Sequence, residues 1–229
     1  YTTRMNIRMK LFDSHCHLDD KSYSQDLQRV LKRAHNAGVI RVMTIGVNQK
    51  TSSQAVLLAE QNPDIYASVG VHPHDAKNCS LSVIENLVSL SKHPKVRAWG
   101  EIGLDYNRMY SPKADQEKWF QKQLEIAAQL DLPMIFHERD SNGRFVEILN
   151  NHFNDGVNGV VHCFSGNRDE LKQYLELGLH IGITGIITIK GRGAHLRKLV
   201  PAIPVDRLVI ETDAPYLTPA PDKNHTRRN

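Results

Sequence analysis

The feature that most constrains this chain is an alternation, kept up from end to end, of short apolar runs with longer amphipathic stretches. The extended runs are "KLFDSH", "VIRVMTIG", "IYASVGVHP", "VRAWGEIGLD", "PMIFHERD", "GVVHCFSG", "LHIGITGII" and "DRLVIETDAPYLTP". The stretches between them have helical periodicity. In "SQDLQRVLKRAHNAG", Leu27, Val30, Leu31 and Ala34 share one face and Gly38 closes the helix. Strands separated by helices pair in parallel, because a parallel crossover needs a dozen or more residues. Eight strands, seven of them followed by a helix and spaced roughly 28 residues apart, predict an α/β fold of the (β/α)8 TIM-barrel type. No Gly-rich fingerprint follows the first strand, which disfavours a doubly wound open sheet. No low-complexity linker interrupts the pattern, so residues 1–229 are expected to form one domain, with residues 1–8 an extension ahead of the first strand. Only 16 residues follow Asp213, and Pro215, Pro219 and Pro221 are among them, so the closing eighth helix is expected to be absent.

The gross numbers exclude little but bound the partners. A net charge of +4 over 229 residues permits an acidic partner such as nucleic acid without demanding one. Much of the excess is terminal: Arg4, Arg8 and Lys10 at one end, Arg227 and Arg228 at the other. The cysteines, Cys16, Cys79 and Cys163, are odd in number and form no CxxC, which reads as reduced thiols in a cytoplasmic protein. No apolar run approaches a membrane span, and the N-terminus lacks the apolar centre of a signal peptide.

The chemistry-bearing residues track the strand ends. His15 and His17, two apart on an extended run, project to the same side. His72, Glu101, Asp105, His137, His162 and Asp213 end later strands, and in a barrel all these ends meet at one mouth. A single histidine at a strand end is more often a hydrogen-bonded residue than a ligand. A carboxylate ending an apolar strand is costly to bury unless it is paired or bound to a cation. Six such residues at one mouth, His15, His17, Glu101, His137, His162 and Asp213, make a ligand set for two divalent ions, with Glu101 bridging them. His15, His17 and Asp213 are expected to hold one ion and His137 with His162 the other. Two ions about 4 Å apart suit in-line displacement at phosphorus. Strand alternation is expected to turn Cys16 and Cys163 away from the mouth as small packing residues. His35, His93, His152, His180, His195 and His225 are assigned no role.

The motifs "FDSHCHLD", "GVHPH", "GEIGLDY", "FHERD", "VHCFSG", "IGITG" and "IETDAPYLTP" together resemble the TatD-type deoxyribonucleases of the metal-dependent amidohydrolase superfamily, from about residue 10 to the last residue. The resemblance implies a TIM-type barrel and a divalent-metal-dependent (Mg, Mn or Zn) hydrolase of DNA phosphodiesters, acting on single strands as a 3′→5′ exonuclease. It implies the same six metal ligands, with Asp213 and Glu101 catalytic, and points to His72 and Arg139 as substrate-binding groups. A monomer is expected, since the barrel needs no partner to make this mouth. Two rival readings stay open. One is a hydrolase of a small ester, lactone or amide from the same superfamily, although those barrels often bridge their metals with a modified lysine where this chain has Glu101. The other is a non-catalytic nucleic-acid-binding protein with a structural metal.

Overall fold

The computed structural model describes residues 9–221. The terminal arginines, His225 and the extension over residues 1–8 lie outside the described residues. Eight strands follow chain order around one sheet: β1 (Leu11–Cys16), β2 (Val39–Thr44), β3 (Ile65–Val69), β4 (Val96–Asp105), β5 (Met134–Arg139), β6 (Gly159–Val161), β7 (His180–Ile183) and β8 (Leu208–Ile210). Each pairs in parallel with the next. Seven helices return the chain over the outside: α1 (Leu27–Ala37), α2 (Gln49–Gln61), α3 (Leu81–Ser91), α4 (Lys113–Gln129), α5 (Arg144–His152), α6 (Arg168–Glu176) and α7 (Gly193–Leu199). Among the described residues no helix follows β8, and none is long and apolar enough to cross a membrane.

Local chemistry sets these boundaries. Gly38 takes a left-handed conformation at φ 102° and its N–H closes α1 on the carbonyls of Ala34 and His35. A Cβ there would meet the Met9 carbonyl oxygen at 2.5 Å, so glycine is required on both counts. Asn48 with Thr51, and Asn167 with Glu170, form capping boxes that start α2 and α6. Pro112 precedes the first turn of α4.

The ring is closed by a seam between β1 and the chain leaving β8. Cys16 bridges to Ala214. The His17 N–H donates to the Ala214 carbonyl at 2.7 Å, and the Asp213 N–H to the His15 carbonyl at 2.8 Å. The Asp13 carboxylate, 199 positions away in sequence, accepts from the Thr212 backbone N–H and hydroxyl at 2.9 and 2.6 Å.

The core has two parts. The larger lies between ring and helices, where the rings of Phe120, Phe136, Phe145 and Tyr174 pack on one another. A smaller cluster of Met43, Ile45, Ala98 and Ile135 fills the inside of the ring, as strand alternation requires when Met134 and Phe136 face the helices.

Two strands stop short of their apolar runs. β6 ends at Val161 and β8 at Ile210, before the polar residues that the runs carry. Beyond them Cys163 (φ 49°) and Asp213 (φ 55°) turn left-handed and break the alternation. Cys16 is buried as expected, its thiol donating to the Met43 carbonyl at 3.3 Å. Cys163 does not turn away: it borders the mouth cavity, because alternation no longer applies past Val161.

Candidate metal centre

The C-terminal ends of the strands open into a cavity of about 670 Å³. A cavity of about 700 Å³ opens at the other end of the barrel, but its walls carry no carboxylate and one histidine, His180, so it assembles no ligand set. The chemistry belongs to the C-terminal mouth.

All eight residues given a role from the sequence line that mouth or lie buried beneath it. His15 comes from β1 and His17 from the residue beyond it. Glu101 is on β4 and His137 on β5, while His162 and Asp213 follow β6 and β8. The Nε2 atoms of His15 and His17 lie 3.3 Å apart. Asp213 Oδ1 is 3.2 Å from His17 Nε2 and 3.7 Å from His15 Nε2, and Glu101 Oε2 is 3.5 Å from His15 Nε2. Ligands about 2.1 Å from a tetrahedral ion stand roughly 3.4 Å from one another. The donor set therefore has the spacing and the chemistry of a divalent-cation site.

Glu101 faces two ways. While Oε2 meets His15, Oε1 accepts from His137 Nδ1 at 3.0 Å and lies 3.5 Å from His72 Nε2 and 4.0 Å from His162 Nε2. The groupings differ in detail from the sequence reading. His162 stacks on His15, with ring centres 3.4 Å apart, rather than joining His137. His137 is grouped instead with His72 and His74.

Three participants carry no role in the sequence reading. Asp105 Oδ2 accepts from His137 Nε2 at 3.2 Å and from His74 Nε2 at 2.7 Å, while its Oδ1 accepts the N–H groups of Asn107 and Arg108. His74 repeats two residues after His72 the spacing of His15 and His17, and that repeat was the signal available for it. Glu211, two residues before Asp213, has its Oε1 2.9 Å from His162 Nδ1, and the same oxygen accepts the Cys163 N–H at 2.5 Å. His15, His162 and Glu211 form a fully buried trio. Carboxylates placed this way behind imidazoles fix the ring orientation and the tautomer of a metal ligand. His15 Nδ1, His162 Nδ1 and Glu211 Oε2 are buried within this trio without a hydrogen bond of good geometry, so Glu211 faces His162 as a close charge and the trio holds unused hydrogen-bonding capacity.

The electrostatics follow from burial working against pairing. Burial pushes His72 down to about 4, against the pull of Glu101. It lowers His15 as well, with His162 adding to the effect. Burial pulls the same way at His162 and His137, but carboxylates outweigh it. Glu211 and Glu101 hold His162 up at about 10, and Asp105 and Glu101 hold His137 up at about 9. Burial would raise Glu101 and Asp213, yet the surrounding histidines keep both below the usual carboxylate range. His72 Nδ1 accepts the His74 N–H at 3.0 Å, so neutral His72 carries its proton on Nε2, toward Glu101. Arg139, at the end of β5, borders the cavity and makes no ion pair with any described residue, as do Arg108 and Arg192.

Known proteins place this arrangement. The sequence profile of the TatD related DNase family matches residues 12–229. The "3'-5' ssDNA/RNA exonuclease TatD" of Pectobacterium parmentieri is 43% identical over 222 residues, which cover 96% of this chain and 85% of that protein. The protein of the same description from Salmonella typhimurium is 40% identical over 221 residues, with 96% and 85% covered. The crystal structure of YJJV, a TatD homologue from Escherichia coli, superposes with a TM-score of 0.84 at 30% identity, over 94% of this chain and 83% of that one. A TatD family hydrolase from Entamoeba histolytica superposes with a TM-score of 0.82 at 28% identity, over 91% and 75%. With its eight-stranded ring, its histidine-rich mouth and a profile match running to its last residue, the chain belongs to the TatD related DNase family.

Proposed function

We propose that the mouth hydrolyses phosphodiester bonds of single-stranded nucleic acid, removing nucleotides from the 3′ end, with two divalent ions held by His15, His17, Glu101, His137, His162 and Asp213. The observation that carries this reading is the two-faced Glu101, one oxygen toward His15 and the other toward His137 and His72. Divalent ions bound there supply Lewis acidity and neutralise the charge that develops on the phosphoryl oxygens. Imidazole-rich ligation favours Zn or Mn over Mg on softness grounds.

The remaining work falls to the chain's own side chains. Asp213 is 14% exposed against 4% for Glu101, so it is the carboxylate that faces the substrate. It orients the attacking water and takes its proton. His72 borders the cavity with its Nε2–H directed at Glu101, so it acts on the substrate by holding that carboxylate. Arg139, with Arg108 and Arg192, binds the phosphate backbone without reading bases. The names of the relatives at 40–43% identity support both the substrate and the polarity.

The test is digestion of 5′-labelled single-stranded DNA and RNA with Mg²⁺, Mn²⁺, Zn²⁺ or EDTA, beside Asp213→Asn and Glu101→Gln. A ladder shortening from the 3′ end, dependent on metal and lost in both variants, is expected. Internal cuts would overturn the exonuclease assignment. No cleavage by folded, metal-loaded protein would overturn the nuclease reading and favour a small-molecule hydrolase.

A further inference from the structure

We propose that Tyr110 and Tyr216 are paired nucleobase platforms on opposite sides of the mouth, holding the two nucleotides that flank the cleaved bond. This rests on the nuclease reading and adds to it how an unpaired strand is gripped. The argument begins with topology. In a ring of eight strands taken in chain order, β4 and β8 stand four apart and face each other across the mouth. Tyr110 lies in the loop after β4 and Tyr216 in the loop after β8, and both line the same cavity. Any chain that passes over the metal ligands between those loops has one tyrosine on each side.

Exposure separates these rings from core residues. Tyr110 is 54% exposed and Tyr216 52%. Of the large apolar side chains exposed among the described residues, they alone line this cavity; Phe12, Leu57, Leu81 and Val205 lie elsewhere. Both are held in place despite that exposure. Tyr110 packs on His74 at 67° with ring centres 4.7 Å apart, and its hydroxyl accepts from Arg108 Nη1 at 3.5 Å. Tyr216 packs on His17 at 63° with centres 5.6 Å apart, and its hydroxyl donates to Asp20 Oδ2 at 3.3 Å. A half-exposed ring already fixed by its neighbours loses little conformational freedom when a flat partner stacks on it.

Charge supports the same ligand. Arg108, Arg139 and Arg192 line the cavity without carboxylate partners among the described residues. Of the acids in the wall outside the histidine cluster, Asp75 accepts from Asn48, and Glu138 from Tyr174 and the Ser141 N–H. Aromatic faces interleaved with free arginines are the means by which proteins hold single strands without reading sequence. A duplex keeps its bases stacked on one another and offers neither face to two separate rings.

The experiment measures steady-state cleavage of an oligothymidylate by the metal-loaded chain, Tyr110→Ala, Tyr216→Ala and the two Phe variants, with metal content and thermal stability checked for each. Two further substrates carry a base-less sugar at the terminal or the penultimate position. Each Ala variant is expected to raise KM by about 5- to 100-fold, the loss of one stacked base, with kcat falling far less, and Phe is expected to rescue it. The base-less substrates complete a cycle. Each tyrosine's effect is expected to vanish on one of the two and to persist on the other. If the wild type cleaves while both Ala variants keep its KM, or lose as much on base-less substrates as on the intact one, the platforms are refuted and the nuclease reading stands. If the wild type cleaves no nucleic acid, both fall.

Discussion

Gly182 gives the sharpest test of how the buried trio supports the proposed metal centre. It lies in β7, and a Cβ added there would fall 2.7 Å from Glu211 Oε2 and 2.8 Å from both Cδ and Oε1. Ordinary contact begins at 3.4 Å, so the carboxylate would have to retreat by about 0.7 Å. It has little freedom to do so, since Oε1 is held by the Cys163 N–H and stands 2.9 Å from His162 Nδ1. Gly182→Ala is therefore expected to cost roughly 1–3 kcal/mol by overpacking. In a domain of this size that is a fall in Tm of about 2–12 °C. If His162 is a metal ligand as proposed, displacing the carboxylate behind it should weaken metal binding by about 10- to 100-fold. Calorimetric titration with Zn²⁺ or Mn²⁺ measures the second effect and thermal unfolding in EDTA the first. In a Glu211→Ala background the space is free, so Gly182→Ala should then add almost nothing. Wild-type stability and metal affinity in the single variant would refute the reasoning, as would a cost that persists in the double variant.

Asp105→Asn, which weakens the hold on His137 and His74, is expected to lower metal affinity by about 10-fold or more with the fold intact, read by the same titration. Divalent metal at about 100 times its Kd is expected to stabilise the chain by about 2.7 kcal/mol, and excess EDTA to reverse this in a thermal melt. Outside the histidine cluster, Glu117 accepts from Arg144 at 2.6 and 2.9 Å and from the Tyr106 hydroxyl at 2.6 Å. Burial would raise its pKa, but these partners hold it below its ordinary 4.5. The ion pair is partly open to solvent, so Glu117→Gln is expected to cost about 0.5–1 kcal/mol at pH 7. A group whose folded pKa is depressed stabilises above its unfolded value and stops doing so as pH falls through the folded one. The gap between wild type and variant should therefore close below pH 4.5, and a gap unchanged at pH 3 in denaturant titrations would count against the pairing.

How much of this was legible in the sequence depends on which kind of signal each residue gives. The strand–helix alternation is periodic, so the ring and the order of its strands follow from it. His15, His17, Glu101 and Asp213 lie within or just past the C-terminal halves of apolar runs, and those ends converge in a barrel whatever the side-chain details. Glu211 was hidden because it sits two residues from the more conspicuous Asp213, and only the curl of chain past β8 shows that it turns under His162. His74 and Asp105 bond to each other across 31 positions, a contact that no local pattern announces. Cys163 illustrates the opposite error. Alternation was applied one turn too far, past the point where a left-handed residue ends the strand.

The seam between β1 and β8 has a consequence for the order of events during synthesis. His15 and His17 leave the ribosome among the first residues of the barrel and Asp213 among the last, yet their carboxylate and imidazoles meet at 3.2–3.7 Å across the same seam that shuts the ring. No growing intermediate lacking β8 can bring Asp213 to His15 and His17, and pairing this distant in sequence forms late because its loop-closure entropy must be overcome first. On the proposed ligand set, the site is assembled by the same contacts that close the ring.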